Sequence, residues 1–104
     1  MKAATKLDVA HSIKNVALDL LERGGQPIDH QGAKGKMALL ADDIVIQCVD
    51  FRGRTFLDIY GRVHNGNRHK VLNMTWEPEQ PVPVLVSFRR GPWEQILFEE
   101  AAKP

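Results

Sequence analysis

From residue 44 to residue 76 apolar and polar side chains alternate in three short runs, broken at Gly53 and at Asn65-Gly66. A period of two marks strands with one face in a core and the other outside it. The pattern predicts three antiparallel strands joined by two tight turns. His64-Asn65-Gly66-Asn67 carries Asn-Gly, the strongest short hairpin signal, because both central residues must take positive φ. A two-residue loop there pairs Arg62 with His69, Tyr60 with Val71, Asp58 with Asn73 and Phe56 with Thr75. The alternate set pairs Val63 with Arg68, Gly61 with Lys70, Ile59 with Leu72, Leu57 with Met74 and Thr55 with Trp76. Leu57, Ile59, Leu72, Met74 and Trp76 then share one face, so turn chemistry and apolar pattern agree. Gly53 supplies the first turn, and Asp50 pairs with Thr55. That adds Ile44, Ile46 and Cys48 to the core face. A three-residue loop with a bulge at Gly53 would shift this register.

The period changes to helical between Thr5 and Arg23. Val9, Ala10, Ile13, Val16, Ala17, Leu20 and Leu21 fall on one broad face at 100° per residue. Thr5 with Asp8 resembles a capping box, although Asp is shorter than the preferred Glu or Gln, and Gly24-Gly25 reads as a left-handed stop. Lys14 interrupts the apolar face near its edge, where its stem can snorkel. Residues 24–36 read as a loop. Met37 to Ala41 reads as a helical turn or the lead into the first strand. Val82 to Arg89 reads as a fourth strand with Val82, Val84, Val86 and Phe88 on one face. Pro83 makes it an edge strand or lets it pair only beyond that point. Residues 93–103 read as a short helix, with a fifth strand as the alternative. The expected fold is α+β: an N-terminal amphipathic helix on a four-stranded antiparallel meander, all in one domain spanning 1–104.

The second face of the sheet is the one worth testing. It carries Val45, Gln47, Val49, Phe56, Asp58, Tyr60, Val71 and Asn73. Val, Phe and Tyr do not suit a purely solvated face, and a Gln–Asp–Asn row does not suit a purely packed one. Three readings follow. The face is half-exposed with scattered apolar groups, or it is a subunit interface, or it is a shallow ligand pocket with Gln47, Asp58 and Tyr60 as polar groups. A second cluster gathers at one end of the meander: Arg62, His64, Arg68, His69, Lys70, Arg89, Arg90 and Trp93. Basic groups around an aromatic can grip a phosphate backbone. The plainer reading is that they keep hairpin tips soluble and blunt the sheet edge.

Composition narrows this. The chain has 104 residues, 43% hydrophobic and 26% charged, enough for one core and ordinary for a folded domain. Net charge is +1, which argues against nucleic acid as a partner even though the 44–93 stretch is the more basic part. The single cysteine rules out an intrachain disulfide, and Cys48 reads as a small buried hydrophobe. No secretory signal or membrane-length apolar run is present, so a cytoplasmic chain with no membrane partner is expected. His11, His30, His64 and His69 lack metal-ligand spacing, and Gly32-Ala33-Lys34-Gly35-Lys36 fails the spacing of a phosphate loop. No cofactor or metal is expected. The reading the residues favour is a non-enzymatic binding module that self-associates as a homodimer, with a protein partner as a further option. The alternatives are a polyanion binder using the basic end, and a ligand-binding protein or enzyme using the Gln47/Asp58/Tyr60 face.

Overall fold

The computed structural model describes residues 5–63 and 66–104. Helix α1 spans Lys6–Gly24. Strands β1 (Gln26–His30), β2 (Ala33–Leu39), β3 (Val45–Phe51), β4 (Arg54–Arg62), β5 (Arg68–Glu77) and β6 (Gln80–Phe88) follow, and α2 (Trp93–Ala102) ends the chain. The strands form one antiparallel sheet in sequence order. The fold is therefore α+β as expected, with six strands rather than four. Of the segment 93–103, residues Trp93–Ala102 are helical. Among the described residues, no helix is long and apolar enough to cross a membrane.

Each element has a local cause. The Thr5 hydroxyl accepts from the Asp8 N–H and the Asp8 carboxylate accepts from the Thr5 N–H, both at 3.1 Å, so two orphan donors of α1 are satisfied reciprocally. The helix does not end in a left-handed cap. Gly25 is extended, and the chain runs directly into β1. Glycine is needed at 25 for closeness, because a Cβ there would lie 2.4 Å from the Leu21 carbonyl oxygen.

Residues 24–36 are not a loop. Gln31-Gly32 has φ of 50° and 81°, and Arg52-Gly53 has φ of 51° and 75°. Both are two-residue turns with positive φ at both central positions, the geometry whose twist suits a hairpin. The first turn of the expected meander thus has its unbulged register, with Asp50 opposite Thr55 and Gln47 opposite Asp58. The His64-Asn65 part of the second turn lies outside the described residues.

The register between β4 and β5 holds from Thr55–Trp76 to Ile59–Leu72 and then slips. Tyr60 pairs with Lys70, Gly61 with His69 and Arg62 with Arg68, so Val71 is the extra residue of a bulge. The expected partners Tyr60–Val71 and Arg62–His69 are therefore wrong. The physical reason lies at Gly61. A Cβ there would sit 2.9 Å from the Trp93 Cβ and 3.7 Å from a Val71 methyl. The bare glycine admits Trp93 from α2, and the bulge turns Val71 inward to fill the space beside it.

Both helices pack on the same side of the sheet, here called the inner face. Ala10, Ile13, Ala17, Leu20 and Leu21 of α1 and Trp93 and Leu97 of α2 form one core with Ile44, Ile46, Leu57, Ile59, Leu72 and Met74. Lys14 is buried too. Its stem lies along the core, and its amine donates to the carbonyl of exposed Pro81 at 2.7 Å and lies 4.3 Å from the Trp76 ring centroid. Strand β6 is an edge as expected, but Phe88 turns inward against Trp93 while Val82, Val84 and Val86 are exposed. Register shifts between β5 and β6 separate them.

Leu57 is fully buried and Leu39 is 66% exposed. Leu57→Ala is expected to destabilise by roughly 2–5 kcal/mol, and Leu39→Ala by less than about 0.5 kcal/mol. Urea melts of the two variants check the assignment of faces.

Candidate functional site

The outer face of the sheet has no helix on it. Gln47, Asp58 and Asn73 stand side by side across β3, β4 and β5, as their register requires. Val45, Val49, Phe56 and Tyr60 are half-buried around them. Val71 is absent from this group, because the bulge buries it in the core.

The same bulge delivers a residue that the sequence reading assigned elsewhere. Lys70 moves from the core-face set to the outer face, opposite Tyr60. Its amine lies 3.8 Å from Asp58 Oδ1 and 5.7 Å from the Tyr60 ring centroid. Asn73 Nδ2 donates to the same Oδ1 at 2.5 Å. The Asp58 side chain is only 15% exposed, and these two groups offset the cost of holding its charge there. Both contacts fall on Oδ1. Among the described residues Oδ2 has no protein partner, and it is not sealed from solvent.

A shallow hollow of about 360 Å³ opens at one corner of this face. Gln47, Val49, Phe56 and Asp58 form one side of it, and His30, Gln31, Ala33 and Phe51 the other. His30, Gln31 and Ala33 were missed because residues 24–36 read as a loop, and Phe51 because it was placed at the Gly53 turn. The signal that could have found them is Gln31-Gly32, a two-residue turn flanked by Ile28 and Met37 on the same face. Met37 and Leu39 of β2 extend the apolar part of the face and are exposed.

The basic end is assembled but partly neutralised. Arg62 pairs with the Asp43 carboxylate at 3.0 Å, and its other guanidinium nitrogen donates to the Gly66 carbonyl. Arg68 donates to the Asp43 carbonyl at 3.4 Å. Arg90 pairs with Glu94 at 2.6 Å and lies over the Phe88 ring. Lys70 faces Asp58. Arg89 and His69 are exposed and form no ion pair among the described residues, and His64 lies outside them. Trp93 does not belong to this surface. It is 1% exposed, its indole N–H donates to the Arg89 carbonyl at 2.8 Å, and its ring meets Phe88 edge-on. Among the described residues no three His, Cys, Asp or Glu side chains gather as a metal site requires.

On the inner side a cleft of about 490 Å³ separates the last turns of α1 from β2 and β3. Cys48 lines it and is half-buried rather than sealed in the core. Burial, helped by the charges of Asp50 and Asp58, pushes its thiol up to about 11. Comparison of the chain with protein-family models, with curated proteins and with solved structures finds no match.

Two outcomes test this geometry. Asn73→Ala leaves a half-buried carboxylate short of a donor and is expected to cost about 1–3 kcal/mol. Lys70→Ala removes a 44% exposed partner and is expected to cost less than about 1 kcal/mol. The reverse order in urea melts would mean that Lys70, not Asn73, holds Asp58. Burial holds the folded Cys48 thiol at about 11, above the range of a thiol in the unfolded chain. Its contribution to stability is therefore complete below pH 9 and lost as pH rises from 9 toward about 11. Alkylation at pH 8 should run about a hundredfold slower in the folded chain than in urea.

Proposed function

We propose that the chain is a small non-enzymatic binding module that self-associates, a second copy docking on the outer face of the sheet. The observation that carries this is the distribution of cover. Both helices pack on the inner face, so nothing in the described chain covers Met37, Leu39, Val45, Val49, Phe51, Phe56 and Tyr60. Six strands about 4.8 Å apart and roughly seven residues long span on the order of 500–600 Å² in flat projection. Side-chain relief raises this toward the roughly 800 Å² per partner of a stable complex. The charge on the face is already balanced, because Asp58 is held by Asn73 and Lys70. A two-fold partner therefore buries no unpaired carboxylate, which would otherwise oppose association.

The hollow beside Phe51 and Phe56 supports a second reading, a small ligand taken by Gln47 and the free oxygen of Asp58. The polyanion reading draws less support, since Arg62, Arg90 and Lys70 are each matched by a carboxylate.

Sedimentation equilibrium at micromolar concentration separates these readings. A dimer mass that falls to monomer in Phe56→Asp is expected. A dimer that persists in Phe56→Asp would move the interface to another surface. A monomer mass in the unchanged chain up to about 100 μM would remove self-association and leave the ligand reading.

A further inference from the structure

The cleft beneath the end of α1 lies on the opposite side of the sheet from the docking face, and its construction is different. Its volume of about 490 Å³ is in the range of sites for small organic ligands. Leu18 and Leu21 of α1 form one wall, and the backbone of Gly35 and the thiol of Cys48 form the other. Gly35 is the register partner of Val49, so position 35 faces the outer side and only its backbone borders the cleft. A Cβ there would lie 1.9 Å from the Cys48 carbonyl oxygen, so glycine is enforced by the close approach of β2 to β3.

The mouth is charged. Lys34 and Lys36 both line it, are exposed, and form no ion pair among the described residues. As i and i+2 on one strand they stand about 6.6 Å apart on the same face, close enough to flank one small anion. Lys34 is the register partner of Asp50, yet Asp50 is engaged elsewhere, accepting from the Thr55 hydroxyl at 2.7 Å. Glu22 and Asp50 also line the cleft, so a ligand bearing two negative charges is disfavoured. We infer that this cleft binds a single-chain amphiphile with one carboxylate, its apolar chain between Leu18, Leu21 and Cys48 and its head between the amines of Lys34 and Lys36.

The orientation follows from the floor. The same burial and neighbouring acids that keep the Cys48 thiol protonated also exclude a carboxylate from that depth. The head group must stay at the mouth, where the lysines reach it and water still solvates it. The thiol is neutral at physiological pH, so it contributes contact area and not nucleophilic chemistry.

Decanoate is a suitable probe, titrated calorimetrically below its micelle concentration. Alkylation of Cys48 by iodoacetamide at pH 9 provides a second readout, because the chain has no other cysteine. One-to-one binding is expected, with alkylation slowed in step with occupancy. The Lys34→Gln/Lys36→Gln variant alters two exposed side chains and should fold normally by circular dichroism. It should bind decanoate about tenfold more weakly, the loss of one charge-assisted contact or more. Absence of both heat and protection would overturn the inference, as would undiminished affinity in the double variant. Equal or tighter binding of decyltrimethylammonium would also overturn it, since Glu22 and Asp50 would then be the groups that read the head. Flotation with phosphatidylglycerol vesicles distinguishes a free carboxylate from a membrane surface. The chain should remain unbound, and lysine-dependent co-flotation would contradict a site for the free carboxylate.

Discussion

Trp93 rests directly on Gly61, and the cover over the two sides of the sheet follows from that contact. A side chain at 61 would meet the Trp93 Cβ at 2.9 Å. With hydrogen there instead, α2 approaches the backbone of β4 and brings Leu97 into the core that α1 already occupies. The Arg89 carbonyl takes the indole N–H, and Phe88 takes the ring edge, so the large side chain is fixed at three points. Val71 is drawn in beside it, which costs one bulge in the ladder. Once α2 is committed to the inner face, the described chain has nothing left to cover the outer one.

The bulge then reaches the candidate site by a short route. Shifting the upper part of β5 by one residue exchanges Val71 for Lys70 opposite Tyr60. An apolar residue leaves the outer face and a cation enters it, next to a half-buried carboxylate. The packing event at Trp93 thereby sets the electrostatics of Asp58 on the other side of the sheet. A face that would have carried one uncompensated charge carries a balanced pair, held further by Asn73.

Much of this was legible in the residues, and the misses have specific causes. Alternation located β3, β4 and β5, and the lower register was recovered because Leu57, Ile59, Leu72 and Met74 could share a face in only one way. Helix α1 was legible from its period and its cap. Strands β1 and β2 were not, since Lys34, Gly35 and Lys36 lack β-branched residues and Gly35 answers to a backbone contact with β3 that no local pattern encodes. The bulge was invisible for the same kind of reason: it depends on Trp93, more than twenty residues further along the chain. Arg62, Arg68 and Arg90 were read as a free basic patch because their partners Asp43 and Glu94 come from the 3₁₀ turn Ala41–Asp43 and from α2, elements with no register to the sheet.

Docking through the outer face is tested most directly by isotope-filtered nuclear Overhauser spectroscopy on a mixture of labelled and unlabelled chains. Contacts between copies should link the methyl groups of Val45 and Val49 with the rings of Phe56 and Tyr60, and should be missing from Asn15 and Asp19 on the solvent side of α1. Contacts confined to α1 would contradict an interface on the outer face.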